Sequence, residues 1–300
     1  MNKQVLCVVL FLLMAGMAAA AENSGLTFLK IGIDARAAAM GEAYSAVCND
    51  AAATYWNPAG LARTGTNSIV LMHNSWLQDI NQEFLAVQLF HGKHNLAFAV
   101  NLIQINGIQL RDERATENPI GTSSATNMYL GLNYAAPLGQ DWSVGGQLKY
   151  LYEKYYLTWA EGIAVDLGLR KKNVLPELEW GLSIQNLGKM NKLRSQASPL
   201  PLILRTGVSY VLPEKIIRIK PLAAADLYYT GNNRLQLNLG VDVPVLQNIS
   251  LRGGYSLGAD SHGLTAGFGI GYWKINVAYA FVPYQYDLGY SHRFSFAIYF

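Results

Sequence analysis

The sequence contains little charge and, after residue 21, no long apolar run. Charged residues make up 14% of the 300 residues, whereas hydrophobic residues make up 51%. Soluble domains carry roughly 25% charged residues, so this composition is typical of a membrane protein. A membrane-spanning helix needs about 20 consecutive apolar residues, and no such run follows residue 21. Strands that alternate lipid-facing and lumen-facing residues reconcile these observations, because alternation hides apolar side chains from a window average.

Cysteine and the common catalytic motifs are also scarce. The chain has two cysteines, and Cys7 lies in a segment that we expect to be removed on export, so Cys48 remains alone and no internal disulfide can form. A net charge of +3 gives no indication of a nucleic-acid partner. There is no H-E-x-x-H motif, no phosphate-binding glycine loop and no cysteine pair. We therefore predict no enzyme activity, no cofactor and no metal site.

The first 21 residues have the features of a secretory signal peptide. Lys3 supplies a positive charge, residues 5–17 form an apolar core, and residues 18–21 are the small residues that a signal peptidase requires. The core is too short to cross a bilayer as a helix. We therefore expect residues 1–21 to direct export and then to be removed.

From about residue 66, the chain divides into segments of roughly ten residues in which apolar and polar residues alternate. In one of them, Val165 and Leu167 alternate with Asp166 and Gly168. A water-soluble sandwich would also alternate, but its apolar faces would meet in a core. An even number of segments favours a closed bacterial barrel, so we predict an all-β fold, a 14-stranded antiparallel transmembrane β-barrel over residues 66–300. The fourteen candidate strands begin near residues 66, 82, 94, 126, 142, 161, 177, 203, 219, 234, 248, 263, 274 and 289.

The lengths of the connections between these segments differ between the two alternating sets of connections along the chain. The two longest, residues 106–125 and 188–202, belong to the same alternate set, and the other set is mostly compact. Bacterial barrels have short turns at one end and longer loops at the other. This pattern supports the barrel and predicts that both long loops lie at one end of it.

The last strand carries an apolar face that ends on an aromatic residue. Phe294, Phe296, Ile298 and Phe300 lie on one side of it. Such an ending is typical of bacterial outer-membrane barrels and is read by their assembly machinery. We therefore predict a location in the Gram-negative outer membrane, with outer-membrane lipids and the barrel assembly machinery as partners.

Residues 22–65 do not alternate and are rich in alanine. Residues 35–46 predict a short helix, with Asp34 as a cap and Gly41 as a weak point. The interior of a 14-stranded barrel is wider than its own side chains fill. We therefore predict that residues 22–65 form a partly helical hatch inside the lumen. The alternative is a periplasmic extension that does not dock in the barrel.

This segment carries a family resemblance. Its runs Ala39-Met40-Gly41 and Tyr55 to Leu61, together with Asp50, resemble the N-terminal signature of the PorV/PorQ proteins, which are relatives of the FadL-like hydrophobic-compound transporters. Residues 184–188 are similar to a second stretch of that family, whereas Glu42 stands where relatives often have glycine. The resemblance implies a fourteen-stranded barrel with an N-terminal hatch in the lumen. The hatch-motif residues are Gly32, Arg36, Met40, Gly41, Asp50, Asn57, Pro58, Ala59 and Gly60.

Two short sequence patterns match a catalytic motif and part of a metal site, respectively, and we weigh each against a purely structural interpretation. Residues 254–258 match the G-x-S-x-G motif of serine hydrolases, which requires a strand-to-helix elbow. Because an alternating strand leads into a polar loop here, we expect Ser256 to lie on a strand. His91 and His94 are close enough to share a metal, but they flank a tight turn without a third ligand. We expect a solvated turn there.

Two functions remain open at this stage, besides a purely structural role. The resemblance implies participation in type IX secretion, in which such a barrel binds exported client proteins or the translocon through its long loops. The alternative is passive transport of hydrophobic small molecules, such as long-chain fatty acids, past the hatch and sideways through a gap in the wall. We expect charged lumen residues such as Lys149, Asp166 and Arg170 to pair with one another or with the hatch, because isolated charges in a confined interior are costly.

Overall fold

The computed structural model describes residues 25–300 except 64, 114–116, 214–218 and 232–233. The predicted signal peptide therefore lies outside the described residues. No helix in the described part of the chain is long and apolar enough to cross a membrane.

Fourteen antiparallel strands form a closed barrel, as predicted. Each strand pairs with its neighbours in chain order, and the first strand pairs with the last along its whole length. Two short strands, β8 (Lys192–Leu193) and β9 (Gln196–Ala197), form a separate hairpin in one connection. The barrel strands are β1 (Ser68–Ser75), β2 (Asn81–His91), β3 (His94–Leu110), β4 (Gly121–Leu138), β5 (Trp142–Tyr155), β6 (Thr158–Leu175), β7 (Leu178–Met190), β10 (Ile203–Val211), β11 (Leu222–Thr230), β12 (Arg234–Leu246), β13 (Ile249–Leu257), β14 (Leu264–Tyr272), β15 (Ile275–Pro283) and β16 (Tyr290–Tyr299).

Alternation along each strand separates an apolar outer face from a small or polar inner face. In β3, Leu96 and Phe98 are 52% and 45% exposed, whereas Ala97 and Ala99 between them are buried. Large exposed apolar side chains occur on strands all around the barrel, for example Leu132 and Leu235. A water-soluble sandwich would bury these side chains in a core, so the barrel interpretation is confirmed.

The extents of the two predicted long loops were wrong. β3 continues to Leu110 through an irregularity in its pairing between Ile105 and Ile108, and β4 already begins at Gly121, so the first connection shrinks to residues 111–120. The second loses residues 188–190 to β7 and contains the β8–β9 hairpin. Polar residues on both faces of these strand ends removed the alternation on which the prediction relied.

Residues 25–63 lie inside the barrel, which confirms the hatch. They form a 3-10 helix at Thr27–Lys30, two short helices at Ala35–Ala39 and Ala53–Trp56, and a 3-10 helix at Pro58–Arg63. The side chain of Asp34 caps the first short helix by accepting a hydrogen bond of 3.2 Å from the Arg36 N–H.

The helix predicted over residues 35–46 ends at Ala39. Gly41 and Glu42 adopt φ angles of 61° and 64°, and this left-handed backbone cannot continue a right-handed helix. Glu42 thus takes a backbone conformation that glycine adopts more readily than other residues.

The two ends of the barrel differ in their connections. Asn67 exchanges backbone hydrogen bonds with Phe300, so the first and last strands meet at the end that also holds the tight turn between His91 and His94. That end also contains the ten-residue connection 212–221 between β10 and β11. The connections at residues 111–120 and 191–202 lie at the opposite end, together with the start of the hatch, where the Gly25 N–H donates to the Pro199 carbonyl over 2.9 Å. Because long loops mark the outer side of such barrels, we call this the extracellular end.

Candidate functional site

The lumen wall holds the hatch through side chains that bond to its backbone. Buried polar side chains from many strands reach inward, so the hatch carbonyls are satisfied although they belong to no sheet. The pairing that we expected for Arg170 is confirmed, because it also meets Glu179 over 2.7 Å. Donors to the hatch are Arg170 to the carbonyls of Ala46 and Cys48, Ser183 to Trp56, Gln185 to Tyr55, Ser143 to Ala59 and Gln88 to Leu61.

Carboxylates of the wall accept hydrogen bonds from donors in the hatch. Asp226 accepts hydrogen bonds from the backbone N–H groups of Tyr44 and Ser45 over 3.1 and 2.8 Å. Asp242 meets Arg36 of the hatch over 2.9 Å and Arg252 of the wall over 3.2 Å. These contacts anchor the middle of the hatch on β11, β12 and β13.

Paired glycines let the hatch approach the wall closely. Gly240 and Gly254 are directly opposite each other on β12 and β13, and both face the backbone of Met40 and Gly41. A Cβ atom at either wall glycine would overlap the hatch backbone. Thr265 adds two hydrogen bonds to the same turn of the hatch, accepting from the Gly41 N–H and donating to the Ala39 carbonyl.

The remaining hatch-motif residues have structural contacts within the hatch and against the wall. Asn57 donates to the carbonyls of Ser45 and Leu169 and accepts from the Ala59 N–H over 3.1 Å. Pro58 and Ala59 pack on the two opposed wall glycines, Gly145 and Gly168. Gly60 approaches the backbone and thiol of Cys48, and the Gly32 carbonyl accepts from Arg293 over 3.0 Å.

Asp50 is buried and its ionisation is perturbed. Its carboxylate accepts from the Ala52 N–H over 2.9 Å and from the Tyr299 hydroxyl over 3.0 Å. Burial, reinforced by the negative charge of Asp34, raises the pKa of Asp50 to about 6. The hatch therefore contains a carboxyl group that titrates within the ordinary pH range.

The stretch over residues 184–188, which carried the second part of the resemblance, forms a kink in β7. Asn186 has a φ of 65°, and the pairing with β6 is interrupted on either side of Asp166. Lys149 bonds Asp166 over 2.6 Å and Asn186 over 2.9 Å, so these lumen charges pair as expected. β10 begins at Ile203 opposite Gln185, so β7 beyond the kink is flanked on that side by residues 200–202. The side-chain amide of Asn186 holds residues 200–202 in place by donating a hydrogen bond to the Pro201 carbonyl over 2.9 Å.

The side chain of Arg205 was missed by sequence reasoning. Its guanidinium lies 4.3 Å from the ring centre of Tyr228 and 4.7 Å from that of Trp56, and it is fully buried. None of its three nitrogens has a hydrogen-bond partner. Tyr228 faces the lumen and stacks on Arg205, although tyrosines near strand ends commonly lie at the membrane–water boundary.

A cavity of about 550 Å³ borders the hatch at the extracellular end, and we call it the outer cavity. Its floor is the hatch, including Lys30, Gly32 and Glu42. Its walls come from Tyr228, Gln236 and Arg293 and from three connections at that end. The connection residues are Trp76, Asp260, Ser261, His262 and Tyr284.

The outer cavity combines aromatic rings with basic groups. The indole N–H of Trp76 donates to the Tyr284 hydroxyl over 2.8 Å, which joins two extracellular connections. Arg293 lies 3.8 Å from Glu42. Burial lowers the pKa of Lys30. The pKa of His262 is likewise lowered by burial, and its Nδ1 has no partner among the described residues.

A second space, of about 480 Å³, is a groove on the lipid-facing side of the wall around β1 and β16. Its lining is mostly apolar, including Leu71, Phe294 and Phe296. The polar residues in it are Ser295 and the pair His73 and Glu83, which are hydrogen-bonded over 2.6 Å. β1 pairs along its whole length with both β2 and β16, so the wall is closed behind this groove.

The structure also places the other residues that the sequence singled out. Phe294, Phe296, Ile298 and Phe300 share the outer face at the end of the chain, and their role in assembly remains a prediction. Ser256 lies on β13, as expected, and donates to the Gly41 carbonyl over 3.1 Å. His94 bonds the Tyr134 hydroxyl over 2.7 Å. No group of three His, Cys, Asp or Glu side chains in the described ranges is arranged to hold a metal.

Comparison with known proteins identifies the fold. No protein-family model matches the chain, and no curated protein matches it. The Pseudomonas putida toluene transporter TodX is similar, with a TM-score of 0.63 and 12% identity over 89% of this chain and 96% of that chain. A monoaromatic hydrocarbon channel, CymD, gives 0.60 and 12% over 89% and 96%. A Pseudomonas aeruginosa FadL homologue gives 0.59 and 12% over 93% and 99%.

These likenesses show that the chain shares the fold of FadL/TodX-type outer-membrane barrels, and at this identity they show the fold alone. The FadL-like part of the resemblance drawn from the sequence is consistent with them. None of the comparisons supports its PorV/PorQ part.

Proposed function

We propose that this barrel resides in the Gram-negative outer membrane and passes small hydrophobic molecules, such as monoaromatic compounds or long-chain fatty acids, from the outer cavity past the hatch. The observation that carries the proposal is the outer cavity itself. It opens between extracellular connections, contains three aromatic rings, and ends on a hatch inside a barrel whose fold is shared with hydrocarbon channels. Its volume lies within the usual range of small-molecule sites.

Passage requires part of the hatch to move, because buried residues fill the lumen below the cavity. The hatch residues that border the cavity are Thr27, Lys30, Ile31, Gly32 and Glu42, and both Glu42 and its neighbour Gly41 have left-handed backbones. Strained backbone of this kind is concentrated at ligand clamps and switch regions. The kink in β7 at Asn186, covered by residues 200–202, is a place in the wall where strand pairing is already interrupted and a lateral exit is therefore easier to open.

Uptake by whole cells tests this proposal. Cells that lack their own hydrophobic-compound barrels would express the chain and receive radiolabelled toluene or oleate. We expect the chain to raise the initial uptake rate of one of them at least fivefold. The variant Ser261→Trp fills the outer cavity and should remove most of that gain, whereas Ser261→Ala, at the same position, should retain it. Failure to raise uptake of either compound, or equal uptake by the two variants, contradicts the proposal.

A second candidate, participation in type IX-type protein secretion, is favoured by the polar lining of the outer cavity and by the sealed lumen beneath it. A transporter needs a continuous apolar path, whereas a barrel that only binds exported clients or the translocon can remain closed. The contact surfaces would be residues 111–113 and 117–120 and the β8–β9 hairpin, which belong to connections at the extracellular end.

Deletion and loop replacement distinguish this candidate. If the chain acts in secretion, its deletion should retain client proteins in the periplasm, and replacing residues 192–197 with a short Gly-Ser linker should reproduce part of that defect. Co-purification of clients after mild detergent extraction would support it. Normal secretion in the deletion strain, with lost uptake of a hydrophobic compound, would leave transport as the function.

A further inference from the structure

The basic groups of the outer cavity are less well paired than its acidic groups. Glu42 lies beside Arg293, and Asp260 takes part in another interaction. Lys30 has no hydrogen-bond or ion-pair partner among the described residues, although it is half-buried in the cavity floor. The Nδ1 of His262 and the Nε of Arg293 are buried without partners as well.

Unpaired donors of this kind are costly in a confined site. A half-buried ammonium loses part of its hydration, and a buried ring nitrogen without a partner loses a hydrogen bond. The lowered pKa of Lys30 reflects this loss of hydration, because burial is its cause. An acceptor with a negative charge, placed between the basic groups, would restore both interactions.

The rest of the cavity determines the shape of the molecule that carries this acceptor. The rings of Trp76 and Tyr284 are fixed to each other by a hydrogen bond, and Tyr228 is held by its contact with Arg205. Rigid aromatic walls around a cavity of about 550 Å³ suit a flat, compact body better than a flexible chain. Hydroxyl and amide groups lie beside these rings, among them Ser261 and Gln236.

We infer that the outer cavity selects small aromatic carboxylates, with Lys30 and His262 binding the carboxylate and the rings of Trp76, Tyr228 and Tyr284 contacting the aromatic body. This inference rests on the proposed transport function and specifies its substrate class. Lys30 forms the charged contact, and His262 donates a hydrogen bond from its neutral ring. Charge selection at the mouth would separate this barrel from one that takes bare hydrocarbons.

Binding to the purified barrel in a non-ionic detergent tests the inference. The probes are 2-naphthoate, its neutral counterpart 2-methylnaphthalene, and the linear decanoate, with affinities measured by isothermal titration calorimetry. We expect 2-naphthoate to bind at least tenfold more tightly than either other probe. Lys30→Met should remove most of this preference, and Lys30→Arg should retain it. Lys192→Met changes an exposed lysine of the β8–β9 hairpin and should have no effect.

The outcomes separate the inference from the function on which it rests. If 2-methylnaphthalene binds as tightly as 2-naphthoate, or if Lys30→Met weakens both equally, the cavity remains an entry site but the carboxylate selection is wrong. If decanoate matches 2-naphthoate, the aromatic selection is wrong. If no probe binds, the entry site and the inference both fail. The thermal denaturation of Lys30→Met should match that of the parent, so that lost binding reports the contact and not unfolding.

Discussion

Arg205 of the wall lies over the indole of Trp56 in the hatch, with 4.7 Å between the guanidinium carbon and the ring centre. Tyr228 covers the other approach at 4.3 Å, and no nitrogen of the guanidinium forms a hydrogen bond. This cation therefore joins hatch to wall through ring contacts alone. Arg170, which is also fully buried, binds two hatch carbonyls and Glu179 instead.

Replacing Arg205 by methionine should leave the free energy of unfolding unchanged or increase it. The ring contacts of a desolvated cation contribute about 2 kcal/mol, whereas burying the charge costs several kcal/mol. Arg170→Met is the matched control and should lower the stability by about 3–5 kcal/mol, because it removes the buried cation that binds two hatch carbonyls and Glu179. Urea unfolding in detergent micelles measures both. A larger loss for Arg205→Met than for Arg170→Met would contradict the argument.

Gly254 and Gly253 are adjacent in β13 but face opposite sides of the wall. Gly254→Ala should lower the stability by about 1–3 kcal/mol, because its methyl group would overlap Met40 and Gly41 of the hatch. Gly253→Ala should change it by less than about 0.5 kcal/mol, because the new methyl group meets only Val241, at 3.9 Å. Heat-dependent migration of the folded barrel in gels gives a rapid measurement of both. Equal effects would mean that the hatch does not pack tightly on β13.

Asp226 should protect two backbone amides of the hatch. In Asp226→Ala the N–H groups of Tyr44 and Ser45 lose their acceptor, and each unsatisfied buried group costs about 1–3 kcal/mol. Asp226→Asn retains one carbonyl oxygen and should have a smaller effect. Hydrogen exchange followed by mass spectrometry should show faster exchange over residues 43–47 in the alanine variant. Unchanged exchange there would rule out this anchor.

The stability of the hatch should decrease as the pH rises through about 6. Burial and the charge of Asp34 raise the pKa of Asp50 in the folded state to about 6, whereas the pKa of an unfolded aspartate is about 3.9. The folded state therefore binds the proton more tightly. The stabilisation is fully present below about pH 4 and is lost as the pH rises through the folded value, with a magnitude of about 3 kcal/mol.

Two variants test the assignment of this pH dependence. Asp50→Asn should flatten the unfolding free energy between about pH 5 and pH 7. Asp34→Asn should lower the pH at which the stability falls. It removes a negative charge near Asp50 but leaves Arg36 and the hydrogen bond from Tyr299 in place. Urea unfolding at several pH values checks both. A profile of Asp50→Asn that still falls across this range would assign the effect to another group.

The outer cavity could not be derived from local sequence patterns, although some of its residues carried signals. Glu42 stands where the resemblance implies glycine, and its backbone at the cavity floor is left-handed. No local sequence pattern marks Trp76 or His262. Each lies in a short connection and lines the cavity only because barrel closure brings other connections beside it. Tyr228 carried no signal either, because sequence alone does not show which tyrosines near strand ends face inward.

The sequence by itself determined the barrel, its number of strands, its lipid-facing surface and the presence of a hatch. These features follow from an alternation that repeats every two residues and from a segment that lacks it, so they can be read locally. The tertiary structure alone decided how the hatch is fastened and where a ligand could enter. Ser45 meets Asp226 across 181 positions of the chain and Gly41 meets Thr265 across 224. Barrel closure brings such residues together, and no local pattern records those distances.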